Sequence, residues 1–255
     1  MDPVAPIDPD AVDIAVFAAV ALGVAIVAAG DVCQRWLAPD PMWFFDIDGS
    51  FNLVTWFQSS VLAGAALCAA GIALTQANGA LRAMWLAVAG GVAFMSLDKS
   101  ISLHERLGQR LEDALGWSEQ GGRLLWQVVY SPFLAALAIL LVAVMLVAGR
   151  RELLWVTAAI VMMATKLLLE ALMFPAIESG MTHELHRTYA FEVLTEESVQ
   201  ALGFGALFAS FARLLYVRAG AAVRDDALSP GAIAEAGVAG PAPVAPLPAP
   251  RRVRP

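Results

Sequence analysis

The chain is poor in charge. Asp, Glu, Lys and Arg make up 15% of its 255 residues, against about 25% in soluble domains. That shortage excludes a disordered protein and the ordinary charged surface of a soluble enzyme. Basic residues are the scarcer sign, 16 against 23 acidic, for a net charge of −7. A nucleic-acid binder needs the opposite balance and a basic stripe. The densest basic cluster here is Arg251, Arg252 and Arg254, at the C-terminal end. Cysteine is nearly absent as well. Cys33 ends the first apolar stretch and Cys68 sits deep inside the second, so the chain has neither a disulfide framework nor a C-x-x-C metal or redox motif.

What is abundant is apolar sequence. Hydrophobic residues are 59% of the chain, and the mean hydropathy is +0.69. A membrane-spanning helix needs about 20 mostly apolar residues, and six runs meet that length: 11–30, 53–75, 83–103, 124–148, 152–174 and 188–217. The expected fold is an all-α membrane protein, a bundle of about six transmembrane helices whose partner is the lipid bilayer. The opening MDPVAPIDPDAVD lacks the positive charge of a signal peptide, so the first run reads as a retained span. Three segments follow: an N-terminal tail (1–10), a transmembrane domain (11–220) and a C-terminal tail (221–255). From about Leu228 that tail is rich in Pro, Ala and Gly and lacks aromatics, so it reads as a solvated, partly polyproline-like extension.

Six spans put both termini on one side. Near the membrane the Arg and Lys counts of the two sides tie. Acid-rich connections on the opposite side, and three further Arg in the tail, place the termini in the cytoplasm.

Ionisable residues within spans are expensive and mark function by default. Asp98 lies toward the far end of the third run, opposite the termini, as do Lys166 and Glu170 in the fifth. Glu192, Glu196 and Glu197 lie in the first turns of the sixth, which starts from that side. Gln58 opens the second run there and Tyr130 the fourth. Stretches such as VLAGAALCAAGIAL and LLWVTAAIVMMA leave the termini half almost wholly apolar. This asymmetry predicts a polar pocket open to the outside and sealed below; a through-pore wants polar residues at every depth.

Spacing refines the pocket. Asp98 and Glu105 are seven apart and share a helix face, with Ser102 near it, while His104 points about 120° away from Asp98 on a 3.6-residue period. Glu192 and Glu196 share a face. Lys166 and Glu170, four apart, form a same-helix ion pair that would make a buried lysine tolerable. All three histidines, His104, His183 and His186, fall on this side. Together with Asp98 and Glu192 they are a ligand inventory for a divalent metal such as zinc. THELH lacks the H-E-x-x-H spacing, and interfacial histidines with helix-terminal carboxylates account for the same residues.

Two connections carry signals of their own. Asp46, Asp48, Gly49 and Asn52 resemble part of a calcium loop but lack the full pattern. The same residues fit an Asp-Gly turn into a helix capped by Ser50 or Asn52. After the third run, Leu103, Leu107, Leu111 and Leu115 recur at steps of four with charges outside the stripe, predicting an amphipathic helix at the interface.

The segments WFFDIDGSFNLVTWFQSS, FMSLDKSISLHERLG and YAFEVLTEESVQALG together resemble an uncharacterised family of bacterial multi-pass membrane proteins. Its pattern runs D-x-D-G-x-x-N-x-x-T-W-F-x-S, then S-L-D-E-x-x-x-L-H-E, then E-E-x-x-E-x-x-G. Lys99 and Gln200 stand where that pattern has Glu. The resemblance implies residence in a bacterial cytoplasmic membrane and no known activity. Three functions fit the residues. One is binding of a ligand or ion in the polar pocket. Another is a metal-dependent hydrolase of lipid-like substrates, with Asp98, His104, His183, His186 and Glu192 as ligands and Glu196 or Glu197 activating water. The third is a proton- or cation-coupled transporter using Lys166, Glu170 and Glu196.

Overall fold

The computed structural model describes residues 7–37, 52–115, 119–178 and 183–227, and their side chains except at 35–37, 112, 119–125, 170–178, 183–192 and 222–227. The described residues form seven helices: α1 (Pro9–Leu37), α2 (Leu53–Leu74), α3 (Gly79–Ile101), α4 (Leu103–Leu115), α5 (Glu119–Ala148), α6 (Arg150–Glu178) and α7 (His183–Ala227). All but α4 are long and apolar enough to cross a membrane, which is the expected multi-pass architecture. Helices satisfy every backbone polar group internally, as hydrocarbon requires. By compactness the chain divides into Met1–Arg218 and Ala219–Pro255; the first unit forms the bundle.

Short connections make neighbouring helices antiparallel. Asn52 caps α2, its Oδ1 accepting the Thr55 N–H at 2.8 Å, one of the two caps expected from sequence. Between α2 and α3, Asn78 Oδ1 accepts the N–H groups of Ala80 and Leu81, and Arg82 donates to the Gln76 carbonyl at 2.8 Å. One residue, Gly149, separates α5 from α6. Its φ of +149° is open to glycine, and a Cβ there would lie 2.8 Å from Glu152 Oε2.

Helix α7 occupies the middle. Gly64 and Gly71 of α2 take the side chains of Phe208 and Leu215, and Gly203 of α7 packs against Met162 of α6. Gly205 of α7 meets Val20 of α1, and Phe211 makes an edge contact with Trp85 of α3 at 5.4 Å. The remaining spans contact one another in sequence. Gly23 of α1 faces Phe57 of α2, and Ser96 of α3 donates to the Ser59 carbonyl of α2 at 2.8 Å. Gly91 of α3 faces Leu137 of α5, α5 packs on α6, and Phe17 of α1 lies against Trp155 of α6. Lipid tails are as apolar as leucine, so helices associate by close packing, and small residues at the crossings allow it. Among the six spans α7 has the lowest mean hydropathy and the largest buried share, 56%. The helix least suited to lipid is the one most shielded from it.

Pro132 lies inside α5, which begins at Glu119. Its missing N–H would have bonded the Val128 carbonyl; the Ser131 hydroxyl donates there instead, at 2.9 Å. The third run, read as unbroken to 103, stops at Ser102, which adopts a left-handed conformation (φ 50°, ψ 48°). Helix α4 then starts at Leu103, with Leu103, Leu107 and Leu111 half-buried and Glu105, Arg106, Arg110, Asp113 and Leu115 exposed. This is the amphipathic segment expected.

Packing at the crossings is testable. A Cβ at Gly205 would sit 2.6 Å from Val20 Cγ1, whereas one at Gly90 meets nothing within 4 Å. Gly205→Ala should lower stability by about 1–3 kcal/mol, and Gly90→Ala should be neutral or stabilising by up to about 1 kcal/mol. Equilibrium unfolding in mixed micelles reads both; equal effects would remove the central-helix packing argument.

Candidate functional site

At the far end of the bundle, opposite the termini, the break at Ser102 organises a cluster around Asp98. The Ser102 N–H donates to the Asp98 carbonyl. The chain then turns back, so that the His104 N–H donates to Asp98 Oδ1 at 2.9 Å and His104 Nδ1 lies 2.7 Å from Oδ2. The Tyr130 hydroxyl reaches Oδ1 at 3.4 Å. Asp98 thereby caps α4 and orients the imidazole, whose ring packs on Trp126 at 4.6 Å. The expected separation of Asp98 and His104 is overturned, because the 3.6-residue arithmetic holds only along one continuous helix. Ser102 is buried at the turn, and Glu105, with 49% of its side chain exposed, lies 3.9 Å from His104 Nε2.

Facing this cluster, α7 presents two carboxylates, each met by a lysine from another helix. Lys99 Nζ of α3 lies 3.2 Å from Glu197 Oε2. The fully buried Gln58 of α2 donates from Nε2 to Glu197 Oε2 at 2.9 Å and to the Glu197 carbonyl at 3.0 Å. Lys166 Nζ of α6 lies 2.9 Å from Glu196 Oε1 and 5.7 Å over the Trp126 ring. Lys166 thus has a partner on another helix; the side chain of Glu170, its expected same-helix partner, lies outside the described residues. Glu196 and Glu197, nominated to activate water, are both ion-paired. Lys99 also gains a reason, since a Glu at that position would face Glu197 with like charge.

Among these groups lies a cavity of about 80 Å³ between α3, α5, α6 and α7, with His104 of α4 at its edge. Chain direction orders its lining by depth. Asp98, Lys99, His104, Tyr130, Lys166 and Gln200 sit toward the far end; Phe94, Phe133, Leu134, Met163 and Phe204 sit deeper. Polarity therefore falls in one direction along the cavity. Gln200 Oε1 is buried and without a hydrogen-bond partner. The lysines line the space, but Glu196 and Glu197 do not.

Of the proposed metal ligands, Asp98 and His104 come together, bonded to each other. The side chains of His183, His186 and Glu192 lie outside the described residues, as do Asp46, Asp48 and Gly49. Among the described residues no group of three or more His, Cys, Asp or Glu side chains gathers as a metal would require.

A second polar cluster, at the termini end, corrects the expectation of an apolar half there. Asp13 of α1 is fully buried. It accepts from Arg151 Nε at 2.8 Å and from Trp155 Nε1 at 3.0 Å, both on α6. Arg213 of α7 pairs with Glu152 of α6 and, at 3.0 Å, with Asp10 of α1. The signal was Asp13, an acid inside an apolar run. Asp31, buried near the far end of α1 beside Gln34, was missed in the same way.

These features define a multi-pass helical membrane bundle with ion pairs buried near both ends and a graded cavity at one of them. The chain belongs to a domain-of-unknown-function family (DUF8692), whose profile matches residues 13–214, in keeping with the resemblance to an uncharacterised family. Neither a curated protein nor a solved structure matches it.

The termini cluster yields a contrast. Asp13→Ala leaves Arg151 and Trp155 without their shared acceptor and should cost about 3–5 kcal/mol. Asp10→Ala, at an exposed position screened by solvent, should cost far less. Unfolding in mixed micelles decides; indistinguishable variants would mean that Asp13 does not hold α1 to α6.

Proposed function

We propose that this protein binds a small amphipathic ligand, with its polar head at the cavity mouth and its apolar body against the floor. The one-way fall in polarity along the cavity carries this reading. Ligand sites are mostly apolar with a few converging polar groups, and an amphiphile matches both ends of this one. The unpartnered Gln200 carbonyl adds support, because a buried acceptor without a donor is costly and a ligand or its water supplies one. We place both termini in the cytoplasm of a bacterium and the mouth on the outer face of the cytoplasmic membrane.

Two experiments test this. With the protein in zwitterionic lipid nanodiscs, calorimetry with octanoate should show saturable binding. Leu134→Trp, which fills the floor, should weaken it by about tenfold or more, and Met163→Phe should do so less strongly. Binding that is unchanged in both variants puts the ligand elsewhere. For orientation, alkaline phosphatase fused at the C-terminus should be inactive and the same enzyme inserted between α4 and α5 active; the reverse pattern turns the mouth to the cytoplasm.

A further inference from the structure

Resting on the cavity reading above, we propose that the head group held at the mouth is an anion, an amphipathic monocarboxylate or a group of like charge, and that Glu196 competes with it for Lys166. The argument comes from how the charges at the mouth are already used. Asp98 is the carboxylate that lines the cavity, and three donors converge on it: the His104 N–H, the His104 ring and the Tyr130 hydroxyl. A ligand cation would have to share an acceptor whose lone pairs are largely taken.

The cations stand differently. An ammonium carries three donors. The two hydrogen bonds of Lys99 both go to Glu197, at 3.2 and 3.5 Å, so an N–H remains beyond them. Lys99 and Lys166 both line the cavity, while the carboxylates that neutralise them stand behind. The lining a ligand meets therefore carries two lysines against one carboxylate, the already occupied Asp98, while Glu196 and Glu197 do not line it. In a low-dielectric site that arrangement favours an incoming negative charge. Trp126, tilted against the His104 ring and lying under Lys166, forms the aromatic wall along which the body of the ligand descends.

The Glu196–Lys166 pair adds a consequence. An anion approaching Lys166 meets a resident carboxylate at 2.9 Å. Neutralising Glu196 should tighten anion binding and weaken cation binding, the reverse of what loss of a structural contact does.

Wild-type protein in phosphatidylcholine nanodiscs is titrated with octanoate, octanol and octylammonium. The proposal expects octanoate to bind at least about tenfold more tightly than either of the others. Lys99→Gln should weaken octanoate more than octanol, and Glu196→Gln should tighten octanoate severalfold. Oleate supplied within the disc bilayer distinguishes the source: octanoate competing with oleate means that the site is also open to water, and oleate alone binding means loading from the membrane. Octylammonium binding as tightly as octanoate overturns the anion assignment, as does weaker octanoate binding in a folded Glu196→Gln protein. If a variant does not fold, the wild-type series decides alone. Equal binding of octanol and octanoate refutes the charge assignment but keeps the cavity; no binding by any probe refutes both.

Discussion

A charged side chain inside an apolar bundle has to meet its counter-charge there, because neither lipid nor packed hydrocarbon solvates it. This structure turns on that constraint through α7. The helix carries Glu196 and Glu197 near one end of its span and Arg213 near the other. Each finds its partner on a different helix: Glu197 on α3 and α2, Glu196 on α6, Arg213 on α6 and α1. A helix with so many outside obligations is best placed at the centre. The glycines at its crossings let its neighbours come close enough to meet them.

The same constraint shapes the end that holds the cavity. Asp98 is held by a histidine only because α3 stops at Ser102 and the chain re-enters helix at once. Removing α4 from the line of α3 brings the imidazole over the cavity edge. With Asp98 and Lys99 of α3 beside it, five helices contribute to the rim. Below the rim, the floor merges into a buried core that includes Trp85, Phe211 and Met145, which fits a pocket closed on one side better than a pore.

Much of the fold is legible in the residues. The six runs and the stripe of α4 are local properties, set by apolar length and by period, and hydrocarbon leaves the backbone few alternatives to helix. The Asn52 cap is local too. The candidate site was legible as a list of polar residues at one depth: Gln58, Asp98, Tyr130, Lys166, Glu196 and Glu197 all belong to it. Their partners were not. Periodicity compares residues on one helix, so it could not show that Lys166 meets Glu196 of α7. Gln58 and Glu197 are 139 residues apart, and Arg151 and Asp13 are 138 apart; no spacing rule reaches across such distances.

The amino-acid sequence by itself determined that this chain lives in a membrane, how many times it crosses, and at which depth most of its ionisable groups fall, because each of these follows from hydropathy and helical rise along a single segment. Only the tertiary structure decided which acid meets which base, that Asp98 and His104 touch, and that the termini end holds a buried ion network of its own. Those outcomes depend on how helices are arranged around α7 and on one left-handed residue at Ser102, and pairing between helices is a property of their packing, which no single segment encodes.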